Sequence, residues 1–121
     1  MEPKTIKIDN VEYVRRDSIE KEAPLVDGLK CCMIRTYSAG VHFGYLKRHE
    51  GKEVELVNSR RIWSWSGACS LSQLAIDGSK DIDNCKIAMK VPSIILTEAI
   101  EIIPMSEKSM TNLYGAEVWK K

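Results

Sequence analysis

The stretch Lys30-Cys31-Cys32-Met33-Ile34-Arg35-Thr36-Tyr37, followed by Ser38-Ala39-Gly40 and then Val41-His42-Phe43-Gly44-Tyr45-Leu46, decides the fold class. Side chains alternate with period two on both sides of a small-residue turn, the pattern of paired extended strands. Cys32, Ile34 and Thr36 fall on one face of the first strand, opposite Cys31, Met33, Arg35 and Tyr37. In the second, Val41, Phe43 and Tyr45 oppose His42, Gly44 and Leu46. Glu50-Gly51 turns the chain again. Lys52 to Val57 predicts a third strand, with Val54 and Leu56 inward, and Arg60 to Trp65 a fourth.

The period then changes. Ser70-Leu71-Ser72-Gln73 has capping-box spacing, Leu71, Leu74 and Ala75 form a helical face, and Gly78 supplies a stop. Asp81 to Asn84 reads as polar loop. Cys85, Ile87, Met89 and Val91 alternate as a fifth strand, which Pro92-Ser93 breaks. Ile94 to Ile103 forms a sixth, closed by Pro104. Ser106 caps a last short helix carrying Met110 and Leu113 and stopping at Gly115, and Ala116 to Trp119 reads as an edge strand. Glu98 falls on the apolar parity of the sixth strand, so a bulge must turn it out or a partner such as Arg35 or Arg61 must meet it.

Working outward, Thr5 to Arg16 predicts a β-hairpin around Asp9-Asn10, and residues 17–28 a charged linker closed by Pro24 and Asp27-Gly28. The division expected is a hairpin and linker arm over residues 1–29 and a single β-rich binding domain over 30–121. The fold class is α+β, mainly β: a curled antiparallel sheet or small SH3-like or Sm-like barrel, with one or two short helices and the N-terminal hairpin arm.

A chain of 121 residues supports one hydrophobic core. Eighteen basic against seventeen acidic side chains leave a formal charge of +1, which makes duplex DNA an unlikely partner. No apolar run approaches the ~18 residues that cross a bilayer, and no signal-peptide core follows Met1, so a cytoplasmic location and no membrane partner are expected. The four cysteines, at 31, 32, 69 and 85, lack Cys-x-x-Cys spacing and read as free thiols in a reducing compartment.

Catalytic signatures are missing. His42 and His49 have no second ligand at metal spacing, Ser38-Ala39-Gly40 lacks the setting of a nucleophile elbow, and no phosphate-binding glycine loop occurs. The chain is therefore read as a non-enzyme without metal or cofactor. What remains is binding chemistry. In an extended Asn58-to-Trp65 segment, Arg61, Trp63 and Trp65 share a face, and Arg60, Ile62 and Ser64 share the other. Indole rings beside a guanidinium suit a base next to a phosphate; the same rings also suit a core, with Arg61 packed over them. Arg35, Tyr37 and Ser38, leading into Ala39-Gly40, form a second candidate surface where backbone is accessible, or an ordinary hairpin turn. Asn84 and Lys86 form a third, or a solvated turn.

Between Ile34 and Trp119 the chain resembles a family of small tailed-bacteriophage proteins of unknown function. The resemblance is carried by Arg35-Thr36-Tyr37-Ser38-Ala39-Gly40-Val41-His42-Phe43-Gly44 and by Arg60-Arg61-Ile62-Trp63 with Trp65 and Gly67-Ala68. Leu71-Ser72-Gln73-Leu74-Ala75, Asn84-Cys85-Lys86 and Leu96 to Pro104 continue it. That family looks like the phage anti-defence sponges acting against Thoeris immunity. The resemblance implies an oligomeric, non-catalytic protein that sequesters a cyclic ADP-ribose-type signal, or another cyclic nucleotide, in the host bacterial cytoplasm. Arg35, Tyr37, Arg61, Trp63 and Trp65 suit that ligand. Two other readings stand beside it: a single-stranded nucleic-acid-binding module, or a phage protein that binds a host factor.

Overall fold

The computed structural model describes residues 21–119. The hairpin expected over residues 5–16 lies outside them. Six strands form one antiparallel sheet: β1 (Lys30–Thr36), β2 (Val41–Glu50), β3 (Glu53–Ser64), β4 (Lys86–Ile87), β5 (Val91–Leu96) and β6 (Ala99–Pro104). Two short helices, α1 (Leu71–Asp77) and α2 (Glu107–Tyr114), complete the described fold. The order is β4-β3-β2-β1-β6, with β5 pairing the first half of β3 and β4 its end. The sheet curls but does not close, so the mainly β class holds in its open form and not as a barrel.

Alternation along β1 loads both faces. Cys31 and Met33 join Phe43, Tyr45, Ile62, Leu74, Ile87, Met105 and Leu113 in a core beneath the two helices. Cys32 and Ile34 join Val54, Leu56, Leu96 and Ala99 in a second core inside the curl. Ser70 caps α1 by accepting from the Gln73 N–H at 3.1 Å, while Gln73 reaches back to the Cys69 N–H at 2.8 Å. Ser106 caps α2 by accepting from the Ser109 N–H at 3.0 Å.

The strands foreseen as third and fourth are one, β3, and the reason is a bulge. Phe43 pairs with Arg60 and Tyr45 with Val57, so Gly44 alone faces both Asn58 and Ser59. Asn58 takes a left-handed φ of 54°, which asparagine tolerates, and thereby turns the strand without ending it. A Cβ on Gly44 would lie 3.0 Å from the Val57 carbonyl oxygen and 3.1 Å from the Ser59 Cα, so a larger residue there would push the bulge aside by a few tenths of an ångström. The extra residue also exchanges the faces. Even-numbered Val54 and Leu56 point into the curl, whereas even-numbered Arg60 and Ile62 point towards the helices.

Further boundaries differ from expectation. The fifth strand shrinks to Lys86–Ile87, and Asn84 ends a single 3-10 turn instead of a loop. Pro92 lies inside β5, tolerated because β5 is paired through the sheet to β3 alone. The long sixth strand divides at Thr97-Glu98, where the chain turns a corner from β5, on β3, to β6, on β1. That corner puts Glu98 in solvent, and a bulge opposite Arg35/Thr36 turns Ile100 out as well. Ala116 to Val118 forms no strand, although the Trp119 N–H donates to the Ile87 carbonyl at 2.9 Å.

The segment before β1 packs on the domain. The Ala23 N–H donates to the Met105 carbonyl at 3.1 Å and the Ala23 side chain is buried.

Candidate functional site

The ladder decides which candidate residues meet. Ile34, His42 and Arg61 are cross-strand partners in one row, and Arg35, Val41 and Ile62 form the next. Adjacent rows point to opposite faces, so Arg35 and Arg61 do not share a surface. Arg35 instead meets Glu101 at 3.2 Å, an exposed pair of small energetic weight. Tyr37 is 79% exposed at the β1–β2 turn, and Ser38 donates to the Glu98 carboxylate. The Thr36 hydroxyl fixes this turn, donating to the Gly40 carbonyl at 2.7 Å and accepting from the Ala39 N–H at 2.8 Å. The turn's polar groups are largely committed to one another.

Of the three residues expected on the Arg61 face, two remain. Trp63 is 56% exposed, with the Arg61 guanidinium carbon 5.1 Å from its ring centroid. Trp65 does not share that face. β3 ends at Ser64 after a second irregularity against β4, and Trp65 turns back to pack on the core beneath the helices. The Asn84 amide is likewise spent, donating to both carboxylate oxygens of Asp81 at 2.9 Å.

Trp119 takes the place Trp65 was expected to hold. Its ring centroid lies 6.0 Å from that of Trp63 at an interplanar angle of 58°, and the Lys86 ammonium lies 5.5 Å from its centroid. Two partly exposed indoles thus stand side by side, each with a cation over its face. No described carboxylate pairs with Arg61 or Lys86. Such cation–π contacts at an exposed site are worth about 0.5–1 kcal/mol, so either cation can leave its ring for an anion at small cost.

Arg60 holds this arrangement together, and period-two reasoning assigned it only to the opposite face. It is 4% exposed. Its Nε donates to the Ala88 carbonyl at 2.7 Å and Nη2 to that of Ile87 at 3.3 Å. Nη1 donates to the carbonyls of Leu113, Tyr114 and Ala116 at 3.0–3.2 Å. One guanidinium thus caps α2 and ties the chain after it to the β4 segment, which brings Trp119 against Trp63. Burial holds the Arg60 pKa below its ordinary value. The sequence reading set Trp119 at the end of an edge strand, whereas it follows the last helix and belongs to no strand. Its partner was not legible from spacing.

On the concave side of this end, His42 is buried and its Nε2 bonds the Ala39 carbonyl at 3.0 Å. Desolvation pushes its pKa down, with the Arg61 charge adding to the effect. Among the described residues no three histidine, cysteine or acidic groups are placed to hold a metal ion, and no helix is long and apolar enough to cross a membrane.

The described architecture is that of an open, curled β domain with a two-helix cover, presenting paired indoles and cations at one end of the sheet. The chain belongs to the family described as a domain of unknown function, DUF6948, which matches residues 29–113. The match takes in β1 through most of α2, so Trp63, Arg61 and Lys86 lie within it and Trp119 beyond it. No curated protein and no solved structure matches the chain significantly.

Proposed function

We propose that this domain binds a small nucleotide without catalysis, on the surface formed by Trp63, Trp119, Arg61 and Lys86. The observation that carries this reading is the pair of exposed indoles 6.0 Å apart, each flanked by a cation that no described carboxylate neutralises. Stacking on an indole holds any base, and the guanidinium and ammonium groups supply donors for phosphate. On the resemblance to tailed-phage anti-defence proteins, we propose a cyclic ADP-ribose-type or other cyclic nucleotide signal as the ligand, held by a homo-oligomer in the host bacterial cytoplasm. Sequestration of this kind requires affinity and abundance but no turnover.

The test is incubation with cyclic ADP-ribose isomers and cyclic dinucleotides, removal of free ligand, heating, and chromatography of what is released. The expected result is an unaltered nucleotide, with retention lost in Trp63→Ala and Trp119→Ala. Retention of none of them, or release of a chemically changed product, overturns the proposal. Steeply salt-dependent binding of mixed-sequence oligonucleotides would replace it with the single-stranded nucleic-acid reading.

A further inference from the structure

A second concavity lies on the helix side of the sheet, between β3 and α2. It has a volume of about 450 Å³ and is lined by Tyr45, Asn58, Arg60, Lys90, Met110, Thr111, Tyr114, Ala116 and Val118. That size is in the range of small-molecule sites, which run from about 300 to 1,000 Å³. Its walls have two chemistries. Tyr45 and Tyr114 stack with centroids 5.9 Å apart and planes 12° from parallel, and Met110 and Val118 extend the apolar lining. Both phenols are occupied: Tyr45 donates to the Met110 sulfur at 3.2 Å and Tyr114 to the Asn58 carbonyl at 2.7 Å. The rings are thereby fixed.

The charged lining is all of one sign. Arg60 and Lys90 are cations, and no acidic side chain lines the cleft. Arg60 is buried with backbone carbonyls as its only described partners, whereas buried charges are ordinarily met by an opposite charge. Its Nη2 donates to Ile87 alone, which leaves one of that nitrogen's two hydrogens without a described acceptor. Lys90 is exposed at the rim and has no described ion pair.

We infer that this cleft is a binding site for a small organic anion, an aromatic or aliphatic body carrying a phosphate or carboxylate head. The body lies along the Tyr45 and Tyr114 side of the cleft, and the head meets Lys90 at the rim, with the buried Arg60 charge behind it. The site is distinct from the Trp63/Trp119 surface: only the chain segment Ala116 to Trp119 touches both, Val118 lining the cleft and Trp119 the indole pair. The inference does not depend on the nucleotide reading.

The test uses phenyl phosphate and phenylacetate as probes, with benzyl alcohol as the neutral control, titrated into the isotope-labelled protein and followed by NMR. Saturable shifts at Asn58, Lys90, Thr111 and Tyr114 are expected. Benzyl alcohol should bind at least about tenfold more weakly, and Lys90→Met should weaken the anions by a similar factor. Lys90 is exposed, so this variant tests the charge without disturbing the core. Absence of saturable shifts, equal binding of benzyl alcohol, indifference to Lys90→Met, or shifts confined to the Trp63 and Trp119 indoles would each overturn the inference.

Discussion

Arg60 and Arg61 are adjacent in the chain and opposite in role. Arg61 lies over the exposed Trp63 ring with no described carboxylate partner, whereas Arg60 is buried and donates to carbonyls that no other described side chain reaches. Arg60→Met leaves the part-buried carbonyls of Ala88, Tyr114 and Ala116 without a described donor and should cost about 3 kcal/mol in urea denaturation. In the same variant Trp119 should lose its fixed place, shifting indole fluorescence to longer wavelength; unchanged fluorescence would refute its positioning role. His42 makes a second prediction. Its folded pKa lies below the ordinary value of 6.5, so the folded state binds fewer protons than the unfolded one. Stability from this group is complete above that pH and declines as pH falls below it. His42→Gln should flatten the fall in urea midpoint between pH 7 and pH 5 relative to the parent. An identical slope in both would sink the assignment.

At the scale of elements, the informative device is the bulge in β3. Asn58→Gly preserves the left-handed conformation and should leave stability within about 0.5 kcal/mol, whereas Asn58→Val strains it by about 1–2 kcal/mol. Equal denaturation midpoints for the two variants would contradict the account. The bulge also explains how far the strands were legible. Alternation placed β1 and β2 correctly because local periodicity there agrees with the pairing. It made two strands of β3 and one of β5 and β6, because a bulge and a corner both change parity while only the corner changes the pairing partner. Both helices were readable from Ser70, Ser106 and their glycine stops, since capping is a local interaction.

For the whole molecule, burial sorts the four cysteines. Cys31, Cys32 and Cys85 are buried and Cys69 is exposed. Desolvation pushes the Cys31 thiol up to about 12 and raises that of Cys32. At pH 8 iodoacetamide should label Cys69 alone in the folded protein and all four in urea, as counted by mass spectrometry. Rapid native labelling of Cys31 would show that the helices do not cover their face of the sheet as described. The candidate surface was half legible on this scale. Arg61 and Trp63 stand where alternation put them, but Lys86 reaches them through the β3–β4 ladder, opposite Ser64, and Trp119 through the path of the chain after α2. Pairings between segments distant in sequence leave no periodic mark. The corner at Thr97-Glu98 has a further consequence, for the order of assembly. It joins a strand paired to β3 with one paired to β1, so Val54↔Leu96 and Cys32↔Pro104 close from the two ends of one short span. Neither edge can zip without bringing the other within reach, which couples two distant loop closures into one event. Non-local β topologies of this kind fold on the order of milliseconds to seconds, and stopped-flow refolding of this chain is expected to fall in that range.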